Sequence, residues 1–191
     1  MNAYSRSLER IQDSYQFTDK EMARMDYTLK VFSYELSKLL FFFLFFLFTG
    51  KFTEFLVCLI ALLPLRWIAG GLHLKHNWSC FLFSFLFFSL IIFGLNGCVL
   101  PKLTQIILLV LSNCFLYIIG PVTSEKRNVM TQKRYHCMRY LSTGILLIYT
   151  ILYFVLENVP HRSIVFWSII LQILQLICAR LVRKGEIYEK V

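Results

Sequence analysis

His73 and Cys80, a histidine and a cysteine seven positions apart, are the side chains in this sequence best suited to nucleophilic chemistry. They lie in a stretch from Arg66 to Phe81 that separates two strongly apolar segments, and a double glycine, Gly70-Gly71, comes just before the histidine. A cysteine nucleophile needs a base within hydrogen-bond reach and surroundings that favour its thiolate. On one unbroken helix seven residues return two side chains to nearly the same face, but about 10.5 Å apart along the axis. A working pair therefore requires the backbone to fold back between them, and Gly70, Gly71 and Asn77 are residues that permit such a path. Asn77 is also a good N-cap, which would make Cys80 the third helical residue, its N–H among the unpaired amides of the first turn. The positive end of that helix favours a thiolate at Cys80. The same amides, with Arg66 nearby, would receive a developing oxyanion. His73 would take the thiol proton and later return it to the leaving amine.

Other readings of these residues exist. A lone interfacial histidine or a lone small cysteine is ordinarily structural, and only the combination beside a double glycine and an arginine favours chemistry. His73, His76 and Cys80 offer three borderline-soft metal donors, but the spacing fits no standard zinc site and no carboxylate lies in the stretch, so neither a metal nor a cofactor is expected. His136-Cys137 is a rival pair. Adjacent residues on a helix point about 100° apart, and this pair reads as part of a basic loop.

The elements that must position the stretch are membrane helices. Of the 191 residues 58% are apolar, 19 are Phe and the mean hydropathy is +0.63, more apolar side chain than a soluble domain of this length can hide. The first thirty residues are charged and lack the apolar core of a cleavable signal peptide, so the mature chain is expected to begin near Met1. Met1 to Phe17 reads as an amphipathic helix on the membrane surface, with Tyr4, Leu8, Ile11 and Tyr15 on one face. Thr18 and Glu21 form a capping-box signature, and the stripe that follows (Met22, Met25, Leu29, Phe32) points to a helix running on into the first span.

Six segments approach the roughly 20 residues needed to cross the bilayer: 31–49, 52–68, 78–95, 103–119, 140–156 and 163–181. Lipid offers no partners for free backbone groups, and these runs do not alternate as barrel strands do, so the fold class is an all-α integral membrane protein of six transmembrane helices. The chain reads as a single polytopic domain, with an interfacial region over 1–30, the membrane region over 31–181 and a basic tail over 182–191. Cys58, Cys114 and Cys178 sit mid-segment and read as small buried hydrophobes. Of the 20 Lys and Arg residues, seventeen fall before the first span, in the second and fourth connections or after the last span. That bias places both termini and the His73–Cys80 stretch in the cytoplasm, in a cell-membrane protein. The net charge of +9 is spread over short loops, which speaks for orientation and against a nucleic-acid partner.

The set Arg66, Gly70-Gly71, His73 and Cys80, with Ser84 one turn on, resembles the R-x3-G-G-x-H-x6-C signature of the AgrB (accessory gene regulator protein B) family. Gly120-Pro121 followed by Glu125-Lys126-Arg127 is similar to that family's second motif, and size and helix order agree along essentially the whole chain. The resemblance implies a membrane cysteine endopeptidase that processes a quorum-sensing propeptide, with His73 and Cys80 catalytic and Arg66, Gly70, Gly71, Asn77 and Ser84 supporting. It implies that Cys80 attacks a peptide bond and releases the propeptide's C-terminal tail, leaving a thioester that an internal cysteine or serine of the substrate converts to a cyclic thiolactone or lactone. The implied partners are a short propeptide with an amphipathic leader and an acidic tail, membrane lipid and a second copy of the chain.

Lys126, Arg127, Lys133, Arg134 and Arg139 are candidates for holding the acidic tail, although positive-inside topology alone would also account for them. Two other classes of function stay open on the residues themselves, a multi-pass transporter and a non-catalytic scaffold. Against the transporter, the spans carry few ionisable groups, with only neutral Gln105, Asn113, Gln172 and Gln175 at depth.

Overall fold

The computed structural model describes residues 17–72, 77–122, 131–155 and 160–182, and of Asn77 only the backbone. The chain divides into two compact units, one ending at Thr49 and the other beginning at Gly50. Among the described residues six helices are long and apolar enough to cross a membrane.

The first unit carries α1 (Asp19–Phe48). Its start is the capping box expected from Thr18 and Glu21: the Glu21 carboxylate accepts from the Thr18 N–H at 2.9 Å and from its hydroxyl at 2.7 Å. Beyond it the helix runs thirty residues without a break, so the stripe from Met22 does continue into the apolar run Leu39–Phe48. Lys30 pairs with Asp26 at 2.6 Å and Lys38 with Glu35 at 2.5 Å, so the two lysines nearest that run are each matched one turn back. The surface helix expected from Met1 lies outside the described residues, which begin at Phe17.

The second unit holds α2 (Phe52–Ala69), α3 (Asn77–Ser89) with a π-helical continuation over Leu90–Leu95, α4 (Lys102–Ile119), α5 (Gln132–Val155) and α6 (Arg162–Val182). α6 packs against α2, α4 and the π-helical segment, and α5 packs against α2 and α4. Half of the apolar stretch of α6 is buried, against 17% in α5, which makes α6 the central helix of this unit. Its inner face contributes Phe166, Ile169, Ile173, Leu176 and Ala179 to a core shared with Leu65 and Ala69 of α2, Leu109 and Leu116 of α4, and Leu146 and Tyr153 of α5.

Lipid is as apolar as leucine, so helices in it are held by close packing and by polar side chains that find each other. The Cys58 thiol lies 3.2 Å from the Ser168 hydroxyl, joining α2 to α6. Tyr153 donates to Gln105 at 2.9 Å and Asn113 donates to Thr150 at 3.0 Å, joining α5 to α4. Two of the four neutral polar residues noted at depth are thus ties between helices.

Two expectations change. α5 begins at Gln132, eight residues before the expected Tyr140, so His136 and Cys137 are helical rather than part of a loop. The apolar run begins late, but Tyr135 is buried, and a helix carries its charged residues out beyond the hydrocarbon. Of the three mid-span cysteines only Cys58 is buried; Cys114 and Cys178 lie on exposed helix surface. A small apolar side chain in a membrane span needs no protein cover, because lipid serves as well.

Candidate active site

α2 and α3 form an antiparallel pair. Phe55 near the start of α2 meets Phe88 near the end of α3, with ring centroids 5.1 Å apart. The last turn of α2 and the described start of α3 therefore lie toward the same end, the end that carries Arg66, Gly70 and Gly71 on one side and Cys80 on the other. Asn77, where the described residues resume, is already helical, so it is part of α3 rather than its cap. Cys80 lies three residues further along the same helix. Cys80 is half-buried and in no disulfide. One turn on, about 6 Å along the axis, the Ser84 side chain is buried and its hydroxyl has no hydrogen-bond partner among the described residues. Trp67 and Trp78 are 83% and 80% exposed, so protein packing does not hold either ring over the thiol. His73 lies outside the described residues, as do His76, Lys126 and Arg127.

The double glycine is pinned from two sides. Gly70 ends α2, its N–H donating to the Arg66 carbonyl at 3.1 Å, and it adopts φ +79° and ψ −151°, a conformation open essentially to glycine alone. It forms a parallel β-bridge with Val122, whose N–H donates to the Ala69 carbonyl at 2.8 Å. Gly120, the C-cap of α4, is itself at φ +68° and packs under Tyr135, whose hydroxyl donates to the Ile119 carbonyl at 3.2 Å. The segments Gly70-Gly71 and Gly120-Pro121-Val122, fifty residues apart in sequence, are therefore one structure.

On the other side stands α6. Gln172, fully buried, donates to the Gly70 carbonyl at 3.0 Å. A side chain on Gly71 would come within 3.2 Å of the Gln175 amide nitrogen and 3.9 Å of Arg66 Nε, so the missing side chain is what lets Gln175 approach. Among the described residues the buried Gln172 carbonyl oxygen and both polar atoms of the buried Gln175 amide have no hydrogen-bond partner.

The sequence matches the profile of Accessory gene regulator B over residues 5–177, most of the chain. It is also 31% identical over 172 residues to an AgrB-like protein of Clostridium beijerinckii, covering 88% of this chain and 82% of that one. The chain belongs to the AgrB family. No solved structure matches it.

In this AgrB chain the basic residues after the fourth span divide. Lys133 and Arg134 are exposed in the first turn of α5. Arg139 is committed elsewhere, its guanidinium 4.5 Å from the Tyr117 ring centre and 5.7 Å from that of Tyr140. The AgrB resemblance on residues said nothing of Gln172, Gln175 or Tyr135 as supports of the reactive stretch. The signal was present, since two glutamines three apart in an otherwise apolar span share one helix face, and polar groups in a span mark function by default.

Replacing Gln172 by leucine is expected to change thermal stability in detergent little, because one such bond is worth roughly 0.6–1.7 kcal/mol in a membrane bundle. Loss of the anchor on Gly70 should instead lower propeptide processing by about tenfold, the smaller share of the ~10²-fold that a 1 Å misplacement can cost. Processing and melting measured on the same preparation separate the two effects.

Proposed function

We propose that this AgrB protein is a membrane-embedded cysteine endopeptidase acting on an AgrD-like propeptide, with Cys80 as nucleophile and His73 as base. The observation that supports it most is the architecture around the dyad. Cys80 lies one turn before the buried Ser84 hydroxyl, which is unpaired among the described residues, and the segment leading into His73 is anchored by Gly70 to the second motif and to Gln172. Chain connectivity favours the same reading, since Gly71 precedes His73 by two residues and the described start of α3 lies toward the same end as Gly71.

In the reaction the Cys80 sulfur attacks the scissile carbonyl carbon while His73 takes the thiol proton. The oxyanion is received by first-turn amides of α3 with Arg66 alongside. Collapse of the intermediate breaks the C–N bond, and His73 passes its proton to the departing amine. The C-terminal tail leaves and the rest of the propeptide stays as a thioester on Cys80. A substrate thiol then attacks that thioester, its proton passing through His73 to Cys80, and the product is a thiolactone; a substrate hydroxyl gives a lactone. Exchanging one thioester for another is close to balanced, which favours cyclisation wherever water is kept out. The positive-inside bias supports a cytoplasmic site for this chemistry, and exposed Lys133 and Arg134 suit an acidic tail.

The test is capture of the intermediate. Membranes holding this protein and a propeptide whose internal cysteine is changed to alanine, quenched in acid, should yield a covalent adduct on Cys80 that hydroxylamine releases. Cleavage of that propeptide with no adduct, and undiminished by alkylation of Cys80, would overturn the assignment.

A further inference from the structure

A groove of about 270 Å³ lies between α2, α5 and the start of α6, lined by Val57, Ile60 and Ala61 of α2, Leu152 of α5 and Val165 of α6. Arg162 and Tyr153 close it, and both also line a smaller neighbouring pocket with Val99 and Ser163. The guanidinium lies over the Tyr153 ring, 4.1 Å from its centre. Among the described residues its buried Nε and Nη2 have no hydrogen-bond partner and Arg162 has no ion pair. Glu54, in the first turn of α2, is already paired with Lys51 at 2.8 Å.

A shielded guanidinium without an anion is costly. The tyrosine ring satisfies only its face, which leaves the N–H edge, the part that takes phosphate oxygens in pairs. The rest of the groove offers almost nothing but hydrocarbon. A ligand that answers both halves has an anionic head and an apolar tail, and the bilayer around a set of membrane-crossing helices supplies such molecules. We propose that this groove is a binding site for an anionic phospholipid, its phosphate on Arg162 and part of one acyl chain along Ile60, Ala61 and Leu152. Arg162 precedes Gln172 by ten residues of α6, about 15 Å, so the site stands apart from the double glycine and is independent of the peptidase reading.

The experiment offers the purified full chain equal amounts of phosphatidylglycerol and phosphatidylcholine with the same acyl chains, and bound lipid is counted by native mass spectrometry. One charge-assisted contact in apolar surroundings gives a preference for phosphatidylglycerol on the order of tenfold. Arg162→Gln should bring that ratio to about one with unchanged elution and melting. Should that variant fail to fold, Ile60→Trp decides, because it fills the groove from an exposed position and should reduce bound phosphatidylglycerol with Arg162 intact. Glycerol phosphate, which has the head without the chains, should displace little lipid at equal concentration. A wild-type ratio near one, an unchanged ratio in Arg162→Gln, or full lipid binding in Ile60→Trp would overturn the proposal. Displacement by glycerol phosphate alone would make it a free-anion site, and displacement by an amphipathic peptide would make it a peptide site; either also overturns it.

Discussion

Changing Cys80 to alanine is expected to stop cleavage of a co-expressed propeptide while the protein inserts into the membrane at its normal level. The nucleophile is the one group the acyl-transfer route cannot do without, and deletion of such a residue costs on the order of 10⁴–10⁶ in rate. Cys80→Ser should fall nearly as far, since a hydroxyl is far less ionised than a thiol at neutral pH. His73→Ala should match Cys80→Ala, and the double variant should be no worse than either, because residues that act as one unit lose their effect together. Cys80 is not a core position: it is half-buried near the described start of α3 and is a free thiol. A fall in processing with unchanged membrane protein is therefore a chemical result. Immunoblots of a tagged propeptide and of the protein in the same membranes supply both numbers. Processing by Cys80→Ala above a hundredth of the normal rate would remove the acyl-enzyme route. Substantial activity in His73→Ala alone would leave the nucleophile and move the base elsewhere.

The helices were legible because the bilayer enforces a simple rule. A span must be about twenty residues long and apolar, and the six segments found by that rule each correspond to a helix of the described structure. Where the rule misled, other forces were acting. The start of α5 carries Lys133, Arg134 and Arg139 and so falls outside any apolar window, yet it is helical and uses Tyr135 to close over Gly120. The turn of π-helix at Leu90–Leu95 shows only as Gly94 in an otherwise apolar run, and hydropathy is the same in either geometry.

The candidate site was legible as chemistry and much less so as architecture. A cysteine, a histidine, an arginine and two glycines announce themselves by type. That Gly70 would bond to Val122 and to Gln172 depends on contacts across fifty and a hundred residues, which no local spacing encodes. Polar side chains buried in apolar spans were the usable trace. Gln105 and Asn113 serve as ties between helices, whereas Gln172 and Gln175 lie against the double glycine.

That distinction makes Gly70 the most sensitive backbone position. Its φ of +79° with ψ of −151° excludes side chains at a cost of roughly 1–3 kcal/mol. A methyl group there would also run into the Val122 carbonyl oxygen, a backbone atom that cannot swing aside. Gly70→Ala must then open the bridge to Val122 and shift the chain on the His73 side. Since a displacement near 1 Å costs about 10² in rate, processing should fall by at least a hundredfold. Gly71→Ala meets a different neighbour, the end of the Gln175 side chain at 3.2 Å, which can rotate away, and its backbone carries no positive φ. It should lose less than tenfold. Gly50 separates strain from collision, because its φ is +69° but nothing lies within 4 Å of an added methyl, so Gly50→Ala should cost about 1 kcal/mol of stability and leave processing intact. If Gly71→Ala proves worse than Gly70→Ala, or if Gly70→Ala processes normally, the bridge to Val122 is incidental. The expected order, Gly70 far above Gly71 and Gly71 above Gly50, instead means that the second motif acts by gripping the backbone that presents the histidine.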